Sequence, residues 1–148
     1  MSAQRTLTAH DKERLVQAAA AAREHAYAAY SKYRVGAAVM CEGGNIHPGC
    51  NVENTAYPLG ACAEVGAISA MVLSGARTIR AVAVVGGKTD DQAESEPWGL
   101  TSPCGGCRQR LAEFAENQLT PLIIASPDGI MLETTVGELL PHGFMMDA

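Results

Sequence analysis

Residues 60–87 read GACAEVGAISAMVLSGARTIRAVAVVGG, and the rest of the architecture is built around this stretch. Pro58 and Gly60 break the chain ahead of it. Ala61–Ser74 then reads as a helix that stops at Gly75, placed in the position just past a helix end where glycine is favoured. Beyond it, Val82–Val85 inside IRAVAVVGG reads as a buried strand.

Downstream, Lys88–Ser102 is polar and irregular, with Trp98 as an anchor or a lid residue. Pro103 opens a further helix from Cys104 to about Ala115, since a proline's missing N–H costs nothing at a helix start. Leu119–Ala125 reads as a strand, Pro127-Asp-Gly129 as a turn, Ile130–Thr134 as a strand and Val136–Leu140 as a short helix. Upstream, Thr8 and Asp11 form a capping-box-like start to an alanine-rich helix reaching about Tyr27, with Leu15, Ala18, Ala19, Ala22 and Ala26 on one face. Val35–Met40 reads as a strand ended by Gly43-Gly44, and Asn45–Asn54 as its return, with Pro48 confining that strand to an edge or bulge. The order α-β-β-α-β-α-β-β-α predicts a mixed five-stranded sheet covered by helices, an α/β layer sandwich.

The 148 residues fit one domain, 1–148. Hydrophobic residues at 47% and charged residues at 18% exclude wholesale disorder. Eleven Lys and Arg against sixteen Asp and Glu leave a net charge of −5, which argues against nucleic acid or an anionic membrane as partner. No apolar run approaches the ~18 residues of a membrane span, and MSAQRTLTAHDKER lacks an export signal's apolar region, so the cytoplasm is expected.

Five cysteines, at 41, 50, 62, 104 and 107, suit metal binding or catalysis better than a disulfide framework. Cys104-Gly-Gly-Cys107 opens one predicted helix and Cys62-Ala-Glu64 another. Two thiolates three apart on a helix can share one Zn²⁺, and Cys62 as a third ligand leaves one tetrahedral position for water. Helix starts favour thiolate over thiol, and Glu64 lies close enough to that position to exchange protons there. Alone, the C-x-x-C also fits a structural zinc or redox pair, and Cys41 or Cys50 would close a four-thiolate site. The histidines at 10, 25, 47 and 142 are scattered and carry no assignment.

A Cys- or His-type ligand followed by Glu, with a later P-C-x-x-C, is the signature of zinc deaminases. Tyr30-Ser-Lys-Tyr-Arg-Val-Gly-Ala-Ala38, Gly49-Cys-Asn-Val-Glu-Asn-Thr-Ala-Tyr57, Cys62-Ala-Glu64, Ser102-Pro-Cys-Gly-Gly-Cys-Arg-Gln109 and Glu138-Leu-Leu-Pro141 follow one another as in the small homotetrameric cytidine deaminases, which the chain resembles over nearly its whole length. The resemblance implies a three-layer α-β-α sandwich and zinc-dependent hydrolytic deamination of cytidine and 2′-deoxycytidine to the uridine nucleosides, with release of ammonia, in pyrimidine salvage. It implies Cys62, Cys104 and Cys107 as zinc ligands and Glu64 as proton shuttle. Asn51 and Glu53 match sugar-binding positions, Tyr33 a position near the pyrimidine ring, and Phe144 an aromatic contributed across a homotetramer interface. Plainer readings are loop organisation for Asn51 and Glu53, core packing for Tyr33 and local packing for Phe144. A modified pyrimidine nucleoside or a nucleoside antibiotic is the alternative substrate.

One position departs from the pattern. Family members commonly carry Arg after the catalytic Glu, and here Val65 follows Glu64. Three thiolates and one Zn²⁺ sum to −3 + 2 = −1, and the candidates for offsetting that charge are the two helix N-termini and Arg108.

Overall fold

The computed structural model describes residues 6–88, 99–126 and 128–147. Its elements are α1 (Ala9–Arg23), β1 (Tyr33–Cys41), β2 (Ile46–Cys50), a 3₁₀ turn (Tyr57–Leu59), α2 (Ala63–Leu73), β3 (Ile79–Lys88), α3 (Gly105–Phe114), β4 (Pro121–Ser126), β5 (Gly129–Thr135) and α4 (Val136–Leu139). The strands form one sheet in the order β2-β1-β3-β4-β5, parallel between β3 and β4 and antiparallel elsewhere.

Strand alternation divides the core in two. Ala38, Met40, Ala81, Ala83, Val85, Ile123 and Ala125 face Leu15 and Ala19 of α1. Ala37, Val39, Val82, Val84, Leu122 and Ile124 face the other way, against Ala67 and Met71 of α2, Leu111 of α3 and Val136 of α4. The mixed five-stranded sheet thus lies between helical layers, the expected three-layer sandwich.

Both helix contacts are close because glycine stands where backbones meet. A Cβ on Gly36 of β1 would lie 1.9 Å from the Ala19 carbonyl oxygen of α1. One on Gly49 of β2 would lie 2.3 Å from the Ala67 nitrogen and 2.4 Å from the Ala63 oxygen of α2.

The Thr8 capping box forms as read, with the Asp11 N–H donating to Thr8 Oγ1 at 3.0 Å and the Thr8 N–H to Asp11 Oδ2 at 3.1 Å. Gly75 takes φ +97° past the end of α2, and Pro48 lies on the edge strand. Several boundaries differ from expectation. α1 ends at Arg23, not near Tyr27, because the following residues leave to pair with the loop after β2: the Tyr27 N–H donates to the Asn51 carbonyl at 3.0 Å. β2 ends at Cys50, not Asn54, where the Asn51 side chain turns onto β1. Cys104 is the N-cap of α3, so Pro103 precedes the helix and does not open it. The expected roles of Trp98 and Pro127 lie outside the described residues.

Gly36→Ala forces the α1 backbone off β1 and is expected to cost about 1–3 kcal/mol or more, as overpacking does. Urea unfolding followed by circular dichroism measures the loss, and an unchanged midpoint would contradict the close approach.

Candidate metal centre

β2 and β3 each run antiparallel to their shared neighbour β1, so they point the same way. α2 follows the C-terminal side of β2, and α3 the C-terminal side of β3. Both helices pack on one face of the sheet, and their N-termini meet at one end of it. This is the end where ligand sites form in open α/β sheets.

Cys62 is the N-cap of α2, Cys104 is the N-cap of α3, and Cys107 lies in the first turn of α3. Their three Sγ atoms lie within 4.8 Å of one another, with Cys62 and Cys104 at 3.8 Å. Tetrahedral zinc with Zn–S bonds of ~2.3 Å separates its sulfurs by about 3.8 Å. The donor set therefore fits Zn²⁺ in both chemistry and spacing. Among the described residues, Cys41 and Cys50 belong to no such group: the Cys41 sulfur lies 3.7 Å from His47 Nε2. A closed site using either of them is not what the fold builds.

The three thiols are not equivalent. Burial, then the charges of Glu64 and Cys62, push the Cys107 thiol strongly upward. Burial also raises Cys62. The backbone N–H of Cys107 lowers Cys104, the most exposed of the three. Cys62 and Cys104 stand at the two helix starts, where positive partial charge gathers, and the Cys107 N–H acts on Cys104 directly. Arg108, by contrast, directs its donors elsewhere: Nε to the Pro103 carbonyl, one terminal nitrogen to the Leu139 carbonyl and the other to Ser102 Oγ, each at 2.9 Å. Of the candidates for offsetting the thiolate charge, the helix starts are thus the ones that point at the sulfurs.

Glu64, two residues past Cys62, is 4% exposed, and its charge acts on all three thiols. It helps line a cleft of about 460 Å³, whose wall also includes Cys62, Cys104, Tyr33, Asn51 and Glu53. That volume suits a small ligand. Cys107 is buried at the cluster and is not part of the cleft wall.

Family-model matching identifies residues 9–120 as a cytidine and deoxycytidylate deaminase zinc-binding region. The chain belongs to the cytidine deaminase family. It is 44% identical over 134 residues to the cytidine deaminase of Sporosarcina psychrophila, covering 90% of this chain and 91% of that one. The Halalkalibacterium halodurans cytidine deaminase is 38% identical over 134 residues, covering 90% and 94%. The crystal structure of cytidine deaminase from Burkholderia pseudomallei superposes with a TM-score of 0.77 at 39% identity, covering 93% of this chain and 99% of that one. The deaminase is accordingly a zinc enzyme, and its three clustered cysteines fit that ion.

The cleft of the deaminase brings together most of the residues singled out from sequence. Asn51 accepts the Val35 N–H at Oδ1 (2.8 Å) and donates from Nδ2 to the Tyr33 carbonyl (2.9 Å), which locks it to β1. Glu53 Oε1 accepts the Tyr30 and Ser31 N–H groups at 3.0 and 3.1 Å, and the Ser31 N–H leads in holding this carboxyl below its ordinary range. Tyr33 OH bonds Thr101 Oγ1. Phe144 is not in the wall: it is 71% exposed, and Gln109 Nε2 donates to its carbonyl at 2.6 Å. Sequence reasoning did not single out Thr101, Tyr57 or Val52, which also line the cleft. Val52 and Tyr57 carried a signal, since both lie in the family-like segment Gly49–Tyr57, whereas Thr101 carried none.

X-ray absorption at the zinc edge is expected to show three sulfurs and one lighter ligand. Cys62→Ala should abolish zinc uptake, and Cys41→Ala should leave it intact. In the metal-free site Cys62 and Cys107 hold their protons more tightly than a free thiol does, so zinc uptake displaces protons and weakens as pH falls. Apparent zinc affinity, measured against a competing chelator, should fall as pH is lowered from 8 to 5, and a pH-independent affinity would contradict thiolate ligation.

Proposed function

We propose that the chain acts as one deaminase domain, 1–148, that hydrolyses cytidine and 2′-deoxycytidine to uridine and 2′-deoxyuridine with release of ammonia, serving pyrimidine salvage in the cytoplasm. The observation that carries this reading is the buried Glu64 beside three clustered sulfurs, on the wall of a cleft sized for a small ligand. The names of the relatives, cytidine deaminases, support the nucleoside. All five cysteines are free, in keeping with a reducing compartment.

When bound, zinc supplies the Lewis acidity that makes water a competent nucleophile near neutral pH. Glu64 accepts the proton of the water that attacks C4 of the base. It hands that proton to N3, then takes the remaining proton of the oxygen now on C4 and passes it to the amine as the carbonyl forms and the C4–N bond breaks, so that a single carboxyl group serves as base and as acid. Burial and fixation at the start of α2 hold it in place through these exchanges.

Asn51 and Glu53 hold the sugar in this proposal. Glu53, an ionised carboxylate, offers only acceptor oxygens, so a sugar hydroxyl must donate to it. Both side chains are oriented by the backbone before any ligand arrives, which lowers the cost of binding. Tyr33 shapes the wall beside the base. Phe144 completes the cleft of a neighbouring copy in a homotetramer, a role that suits its exposure and its distance from this chain's own cleft.

Incubation with cytidine and with 2′-deoxycytidine, following the ultraviolet change on deamination, should show turnover of both that a chelator abolishes. Glu64→Gln should retain zinc and lose at least ~10²-fold in kcat, the lower bound for positioned acid–base catalysis. Near-normal turnover by that variant would refute the mechanism.

A further inference from the structure

The three zinc-binding cysteines are anchored differently. Cys62 follows Ala61, whose N–H and carbonyl both pair with Val52 at 2.9 Å. Cys107 lies within α3 and is buried. Cys104 is exposed and sits at the junction where residues 101–103, outside any helix or strand, meet the helix. Regular structure thus fixes Cys104 from its C-terminal side only.

Arg108 supplies the missing restraint. Its guanidinium binds Ser102 Oγ and the Pro103 carbonyl, the two residues immediately before Cys104, and ties them to the Leu139 carbonyl at the end of α4, all at 2.9 Å. Its backbone N–H makes the helix bond to the Cys104 carbonyl at 2.9 Å, which fixes the position of residue 108 relative to Cys104. Three acceptors on two elements need a planar fork, which a single ammonium point cannot reproduce.

We infer that Arg108 is a positioning residue of the zinc site, acting by the geometry of its fork on residues 102 and 103 and not by its charge. This rests on Cys62, Cys104 and Cys107 holding zinc. Groups that orient metal ligands change metal affinity by ~10–100-fold when replaced.

The test is zinc affinity, measured by competition with a chromophoric chelator, for the wild type, Arg108→Lys, Ser102→Ala and Leu15→Ala. Circular dichroism sets a temperature at which each metal-free protein is folded. Leu15 packs on the far face of the sheet, so its variant controls for general loss of stability. Arg108→Lys keeps the positive charge and is expected to weaken zinc binding ~10–100-fold. Ser102→Ala should weaken it less, and should add little on top of Arg108→Lys. Leu15→Ala should bind as the wild type does. Wild-type affinity in Arg108→Lys, or an equal loss in Leu15→Ala, would overturn the inference. A wild type that takes up no zinc would overturn the metal centre and this inference with it.

Discussion

Three sulfurs that carry negative charge when they bind metal must be brought within about 4 Å of one another, and the rest of the molecule serves that constraint. Like charges at this spacing do not coexist without opposing charge. The fold supplies part of it through two helix N-termini that converge on one point. They converge because β2 and β3 run in the same direction on either side of β1, and because each is followed by a helix on the same face. The approach is close because Gly49 lets the α2 backbone lie against β2. Sheet direction, helix placement and one glycine are thereby linked to metal chemistry.

Burial then divides the labour among the ligands. Cys107 and Cys62 are disfavoured as free thiolates, whereas Cys104 is favoured by the N–H of Cys107. A divalent cation held by the three sulfurs would favour ionisation of all of them, against the burial that opposes it at Cys62 and Cys107. Val65 leaves the turn after Glu64 without a cationic side chain, and Arg108 is engaged with carbonyls. Charge balance here leans on backbone dipoles and the ion itself. Glu64, buried beside the cluster, adds its own charge to those that act on all three thiols.

Much of this was legible in the sequence, and the reasons are local. Thr8 with Asp11, Gly75 and Pro48 each exclude alternatives by their own stereochemistry, so the start of α1, the end of α2 and the edge position of β2 could be read directly. Cys62-Ala-Glu64 and Cys104-x-x-Cys107 were legible because metal ligation fixes both residue type and spacing. The end of α1 was not, because the alanine run carries no stop signal and the helix ends when Tyr27 finds Asn51, a partner 24 residues away. The early end of β2 has the same kind of cause, a side chain of Asn51 reaching β1. Thr101 escaped notice because its partners, Tyr33 and Gly86, are distant in sequence.

Those long-range contacts share a purpose. The connection between β3 and α3 leaves the sheet at Lys88 and must deliver Cys104 to a fixed point. Arg23, 5% exposed at the end of α1, binds the Gly87 and Lys88 carbonyls where the connection departs. Arg108 binds Ser102 and Pro103 where it returns. Between these clamps, Thr101 is pressed against Gly86, where a Cβ would stand 2.4 Å from its methyl group, and bonds to Tyr33. Guanidinium groups thus hold both the last residues of β3 and the residues that lead directly into Cys104. Arg108 and the contact of Thr101 with Gly86 act on the few residues just before Cys104, although none of these residues is one of the three clustered cysteines.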